Sequence, residues 1–216
     1  MFAFFKSNKK NFHNYTGIRR IQSELKNLRK SMNDPQRPLF GVANSLSQDE
    51  KGRDNNYIIQ LNLSNFNSGC AASDNLNEDL KLLAKRGGKD HIKLEILIPK
   101  NYPNDPPFVR VVYPRCKWYT GHVTAGGSIC LELLTHSGSD RGWNKNCDLE
   151  CVLVSILAAF FDNTVALITT RNGPGGVSGS LRVDLDNEWH RVDPSTHYSL
   201  SEAKTAFTRT KESNGW

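Results

Sequence analysis

The residues of this chain whose types could do chemistry gather around Gly127-Ser128-Ile129-Cys130-Leu131-Glu132-Leu133-Leu134. A thiol is nucleophilic when ionised and departs readily afterwards, so Cys130 is a candidate nucleophile. An unperturbed cysteine has a pKa of ~8.5, which leaves only a few per cent ionised at neutral pH, so its surroundings set its reactivity. Eight positions earlier, His122 can donate through a ring N–H, one when neutral and two when protonated. Trp143 follows the cysteine across a polar spacer, His136 to Gly142, that reads as a flexible lip.

Other chemistries fit these residues less well. Cys147 and Cys151, with His136 nearby, could suggest zinc, but a four-residue spacing at a helix start is not a paired knuckle and core packing explains it better. The Gly173–Ser180 run lacks the Gly-Lys-Ser/Thr ending of a phosphate loop. A papain-like hydrolase would need a histidine base such as His190 or His197, and the Ile-Cys-Leu context does not suggest the nucleophile-bearing helix of that class.

The elements that must position Cys130 follow from periodicity. Ile18, Ile21, Leu25 and Leu28 recur at helical spacing and predict an amphipathic helix over Thr16–Lys30 with a basic exterior, ended by Pro35 and Pro38. Strands are predicted at Leu39–Ala43, Tyr57–Leu63, Ile92–Ile98 and Phe108–Tyr113, four in succession as in an antiparallel meander. Leu76, Leu80, Leu82 and Leu83, closed by Gly87-Gly88, predict a short helix inserted between the second and third strands. Asp148 can cap a helix over Leu149–Phe161, and Ser199 or Ser201 can cap a last one to about Lys211. Residues 171–182 are glycine-rich and predicted as a mobile loop, and residues 1–15 as a flexible lead.

Composition bounds the rest. Hydrophobic residues make up 38% and charged residues 23%, which is ordinary for a folded protein. The net charge of +6 could suit an acidic partner, but no Lys/Arg run exceeds a pair, so nucleic acid is not indicated. The apolar stretch from Cys151 to Phe161 falls short of the ~20 residues that span a bilayer. Five cysteines without a regular framework, and no signal-peptide pattern at the start, point to free thiols in a reducing, intracellular setting.

The stretch Pro99-Lys100-Asn101-Tyr102-Pro103-Asn104-Asp105-Pro106-Pro107 between two strands, then Gly-Ser-Ile-Cys-Leu and a tryptophan before a helix, resembles the catalytic domain of ubiquitin-conjugating enzymes over about 16–161. Pro106 to Val112, Glu132 to Thr135, the inserted helix and the terminal Asn214-Gly215-Trp216 are similar to the Q-type branch and extend the likeness to the C-terminus; 171–193 has no clear counterpart. The resemblance implies an α+β fold with a four-stranded antiparallel meander flanked by an N-terminal helix and C-terminal helices, in one catalytic domain over 16–216. It implies that Cys130 carries ubiquitin as a thioester, received from a ubiquitin-activating enzyme and passed to a lysine or other nucleophile of a protein substrate, alone or with a ligase.

The family's His-Pro-Asn triplet, whose asparagine assists the oxyanion, is replaced by Thr120-Gly121-His122, as the Q-type branch also lacks it, so His122 stands as the expected oxyanion donor. Gly126 and Gly127 would let the ubiquitin tail approach. Arg19, Arg20 and Lys26 would contact the activating enzyme, while Asn104 and Asn144-Lys145-Asn146 stand where the family places its ligase anchors. Asp162, Asp184 and Asp186 read as ordinary surface acids. No cofactor, metal, nucleic acid or membrane is implied, and the setting would be cytoplasm or nucleus. The competing expectation is a family-shaped module that binds ubiquitin or a ligase without catalysis.

Overall fold

The computed structural model describes residues 17–32, 43–49, 57–67, 69–163, 166–170 and 173–216. Helix α1 (Ile18–Met32) forms because Ile21, Leu25 and Leu28 share one face, and all three are fully buried. It runs past the predicted end at Lys30 because Ser31 is still inside, its hydroxyl 2.9 Å from Glu150 Oε2. Gly17 precedes it, so close to the chain that an added Cβ would lie 2.2 Å from the Tyr102 carbonyl oxygen.

Strands β1 (Ala43–Asp49), β2 (Tyr57–Leu63), β3 (Ile92–Ile98) and β4 (Phe108–Tyr113) form the predicted four-stranded antiparallel meander, in the order β1-β2-β3-β4. Its register stacks core residues: Ile59 opposite Ile96, Leu61 opposite Leu94, and these opposite Val109 and Val111. The first strand lies further on than the predicted Leu39–Ala43; residues 39–42 fall outside the described residues. Its sequence, Asn44-Ser45-Leu46-Ser47-Gln48, has too few apolar residues to signal a strand, and pairing to β2 defines it.

Helix α2 (Ala71–Lys85) is longer than the short helix predicted from Leu76, because Ala72 and Ser73 also bury; Gly87, at φ +91°, closes it as expected. Helix α3 (Leu149–Phe161) lies against α1 and buries Val152, Leu153, Ile156, Leu157 and Phe160, and Asp148 Oδ1 accepts from Cys151 N at 2.8 Å as its cap. The predicted glycine-rich loop is corrected over Gly173–Ser178: this is strand β6, antiparallel to β5 (Ala166–Thr170). Its glycines and proline occur in a two-stranded ribbon with a register shift between Leu167 and Thr169, where such residues are tolerated.

Residues 179–183 then lie along 116–121 through the bridges Thr120–Gly179 and Cys116–Val183. Helix α4 (Leu200–Asn214) opens with a full capping box, Ser199 with Glu202, and ends at Gly215 in the left-handed region. One core cluster runs from Ile21 to Tyr198. The predicted lead, 1–15, lies outside the described residues, among which no helix is long and apolar enough to cross a membrane.

Candidate active site

Cys130 is placed by what its neighbours bury. The free edge of β4 is extended by residues 127–129: Val111 N donates to the Gly127 carbonyl at 2.7 Å and Ile129 N to the Val109 carbonyl at 3.0 Å. Ile129 is fully buried, and a single 3-10 turn, Glu132–Leu134, brings Leu134 back into the core. Between these anchors the chain is extended and Cys130 emerges half-buried. Burial pushes its pKa up to about 11.

His122 is beside it. Cys130 N donates to the His122 carbonyl at 2.8 Å, and His122 Nδ1 lies 3.2 Å from the Cys130 carbonyl, to which it donates in the tautomer protonated there. The other ring nitrogen, Nε2, is 4.0 Å from Asp162 Oδ2, at the end of α3. In the neutral ring Nε2 is then an acceptor, and it becomes a donor when the imidazole is charged. The turn holding the histidine is left-handed at Tyr119 (φ +61°), Gly121 (φ +57°) and His122 (φ +57°). For a residue with a Cβ this conformation costs about 1–2 kcal/mol and persists where surroundings impose it.

The Tyr-Pro segment is built by burial. Tyr102 is fully buried, its hydroxyl donating to Glu24 Oε2 at 2.6 Å, and the same carboxylate oxygen accepts Leu149 N at 3.1 Å. Trp143 leans on Tyr102, ring centroids 6.0 Å apart, and donates from Nε1 to the Pro103 carbonyl at 2.8 Å. The predicted flexible lip is tethered: Ser139 donates to the Glu132 carboxylate and His136 Nε2 lies 3.3 Å from Asp105 Oδ1.

Residues 88–165 match the family model described as "Ubiquitin-conjugating enzyme". The human protein Ubiquitin-conjugating enzyme E2 Q1 is 32% identical over 179 residues, 79% of this chain and 35% of that protein. Ubiquitin-conjugating enzyme E2 25 of Caenorhabditis elegans is 30% identical over 144 residues, covering 65% of this chain and 30% of the relative. Ubiquitin-conjugating enzyme E2 13 of Schizosaccharomyces pombe is 33% identical over 105 residues, 45% of this chain and 64% of its own length. The chain carries a Q-type ubiquitin-conjugating domain. It spans about a third of the length of the first two relatives.

Within this ubiquitin-conjugating domain several residues do something other than their types suggested. Gly126 and Gly127 are glycine because of α4 and its lead-in: a Cβ on Gly126 would lie 2.3 Å from the Glu202 carbonyl oxygen, and one on Gly127, at φ +87°, 2.7 Å from the Tyr198 ring. Arg20 is not a free surface cation. It pairs with Glu24, donates from Nη2 to the Cys147 carbonyl at 3.0 Å and stacks over Tyr102, whereas Arg19 and Lys26 are exposed.

Asp184 is buried rather than superficial, accepting the backbone N–H of Trp189 and His190. Asp186 is exposed, 3.7 Å from Arg86. Neither histidine of the hydrolase alternative meets Cys130: His190 is held by Trp118 and the Cys116 carbonyl, and His197 packs on Tyr113. A buried ion pair, Arg110 with Glu95, and a half-buried one, Arg182 with Asp79, went unforeseen, because partners 15 and 103 residues apart leave no local pattern.

Proposed function

We propose that the chain is a ubiquitin-conjugating enzyme that takes ubiquitin from an activating enzyme as a thioester on Cys130 and delivers it to a lysine or other nucleophile. The observation that carries this reading is the half-buried thiol fixed backbone-to-backbone beside His122. In charging, the Cys130 thiolate attacks the carbonyl of the incoming thioester, and the tetrahedral oxyanion collapses with loss of the activating enzyme's thiolate. In discharge an amine attacks the Cys130 thioester, loses a proton, and Cys130 leaves as a thiolate that is then protonated.

With its pKa near 11, the empty thiol is ionised in roughly one molecule in ten thousand at pH 7. A thiolate this basic is a slow leaving group, so the loaded domain holds its cargo until the site stabilises the departing charge. In this reading His122 is the donor to the oxyanion of either step: its charged form has Nε2–H to offer, with Asp162 Oδ2 4.0 Å away to balance it. Arg19 and Lys26 on α1 offer a basic face to the activating enzyme, and ligase docking without the usual anchors at 104 and 144–146 is weaker than is common in the family. ATP is consumed by the activating enzyme, so the domain, extending over 16–216, works without cofactor or metal, in a reducing intracellular compartment that suits its five free thiols.

The test is a charging assay with activating enzyme, ATP and ubiquitin on reducing and non-reducing gels. A reducible adduct absent in Cys130→Ala, with discharge to free lysine slowed ~10²-fold in His122→Ala, is the expected result. No adduct with any activating enzyme or modifier would leave a ubiquitin- or ligase-binding module in place of an enzyme.

A further inference from the structure

We propose that Asp79, on the inserted helix α2, is a positioning residue for His122. The proposal deepens the transfer reaction above and rests on it. Asp79 is 2% exposed, on a helix face that otherwise buries Ala72, Leu76, Leu80 and Leu83. A carboxylate so placed persists when paired, and its partner comes from the far end of the chain. Arg182 Nε and Nη2 reach the two carboxylate oxygens at 2.7 and 2.8 Å, and Val183 N donates to Oδ2 at 3.0 Å.

Arg182 is in turn the template on which the His122 turn is laid. Its carbonyl accepts Lys117 N at 2.9 Å, and its N–H donates to Thr120 Oγ1 at 3.3 Å. Just upstream, Gly121 N donates to the Gly179 carbonyl at 2.7 Å, and a Cβ on Gly121 would lie 2.6 Å from Leu181 Cβ. Leu181 N donates to the Phe160 carbonyl at 2.7 Å, so the same segment is tied to the end of α3, two residues before Asp162. Apolar burial of Leu181 and Val183 is non-directional and would allow the segment to slide, whereas a two-pronged guanidinium–carboxylate pair sets its register. The next residue along the turn is His122, left-handed and meeting Cys130 through both backbone and ring. Asp79 thus acts on the thiol's neighbour through Arg182 and the 117–121 turn, touching neither reacting atom.

Asp79→Asn and Arg182→Lys, each removing the two-pronged pair, are made in the full chain and in a His122→Ala background. Charging of Cys130 and single-turnover discharge to free lysine are then followed. Both variants are expected to charge, and their maximal discharge rate to fall by about tenfold or more, with the half-saturating lysine concentration little moved. Neither substitution should slow discharge further once His122 is alanine. Lys81→Ala, exposed on the same helix, should leave both steps unchanged. Undiminished discharge, or losses that multiply with that of His122→Ala, would overturn the proposal. If Asp79→Asn does not fold, Arg182→Lys carries the test from a partly exposed side chain. The ring nitrogen resonances of ¹⁵N-labelled His122 give a readout independent of transfer and are expected to shift in both variants. Unmoved resonances overturn the positioning role. Shifted resonances in a protein that never charges would keep the positioning role and overturn the transfer reading instead.

Discussion

The Tyr-Pro segment and the turn that carries His122 are held by opposite means. The Tyr-Pro segment, with Trp143 against it, is anchored by burial: a fully enclosed ring, a second ring leaning on it, and one carboxylate, Glu24, that joins α1, the Tyr-Pro segment and the start of α3. The turn over 117–123 has three left-handed residues and is held by directional polar ties to 179–183 and beyond. Close packing feels even a one-methylene change of volume, while hydrogen-bonded and ion-paired turns depend on particular partners. The domain therefore holds its Tyr-Pro segment by packing and the turn beside the thiol by directional ties.

This contrast can be broken at either place. The largest effect is expected from Tyr102→Ala, which empties a fully buried site and strips Glu24 of a partner; it should cost about 3–5 kcal/mol in urea unfolding. A loss below about 1 kcal/mol would mean that burial does not hold this segment. Next is the thiol itself. Because burial raises its pKa to about 11, its alkylation by iodoacetamide should climb about tenfold per pH unit from pH 7 through pH 10, as the thiolate appears. Levelling off near the ordinary cysteine range would show that the thiol stays in water.

A smaller effect separates side chain from backbone in the polar turn. His122→Gly should be more stable than His122→Ala by about 1 kcal/mol, because glycine adopts φ +57° without strain. Equal stabilities in matched urea titrations would mean the turn stores no strain. The smallest effect is at its outer support, where Arg115 meets Glu202 of the α4 capping box. Burial pulls the Glu202 carboxyl up, but the Ser199 backbone and hydroxyl groups and Arg115 outweigh it and hold the carboxyl below its ordinary range. A depressed carboxyl contributes stability above its unfolded pKa, and that stability is lost as pH falls through the folded value. Wild type should thus exceed Glu202→Gln by less than about 1 kcal/mol at pH 7, and that margin should shrink as pH falls into the acid range, read from urea midpoints.

The packed segment was legible and the distant ties of the polar turn were not, for a physical reason. Helical and alternating apolar spacing reports directly on what is buried, so α1, α3 and the last three strands of the meander stood out, as did Asp148 as a cap. The motifs around Tyr102 and around Cys130 are each contiguous. The polar turn depends on meetings between distant residues, Asp79 with Arg182 and Thr120 with Gly179, and a carboxylate at 79 looks like any exposed helix acid until its partner is known. Asp184 misled in the same way. The glycine-rich stretch misled in the other direction, since composition there predicted a loop where pairing to 166–170 makes a strand.

The edge of the sheet bears on how the protein fails as well as on how it works. Residues 127–129 occupy the outer edge of β4, using Val109 and Val111 as their partners. The perch of the thiol is therefore also a plug over a row of backbone groups that would otherwise recruit other chains. Loosening that perch should make the protein sticky as well as slow, and deletions across it are expected to precipitate where a Cys130→Ala variant stays dispersed.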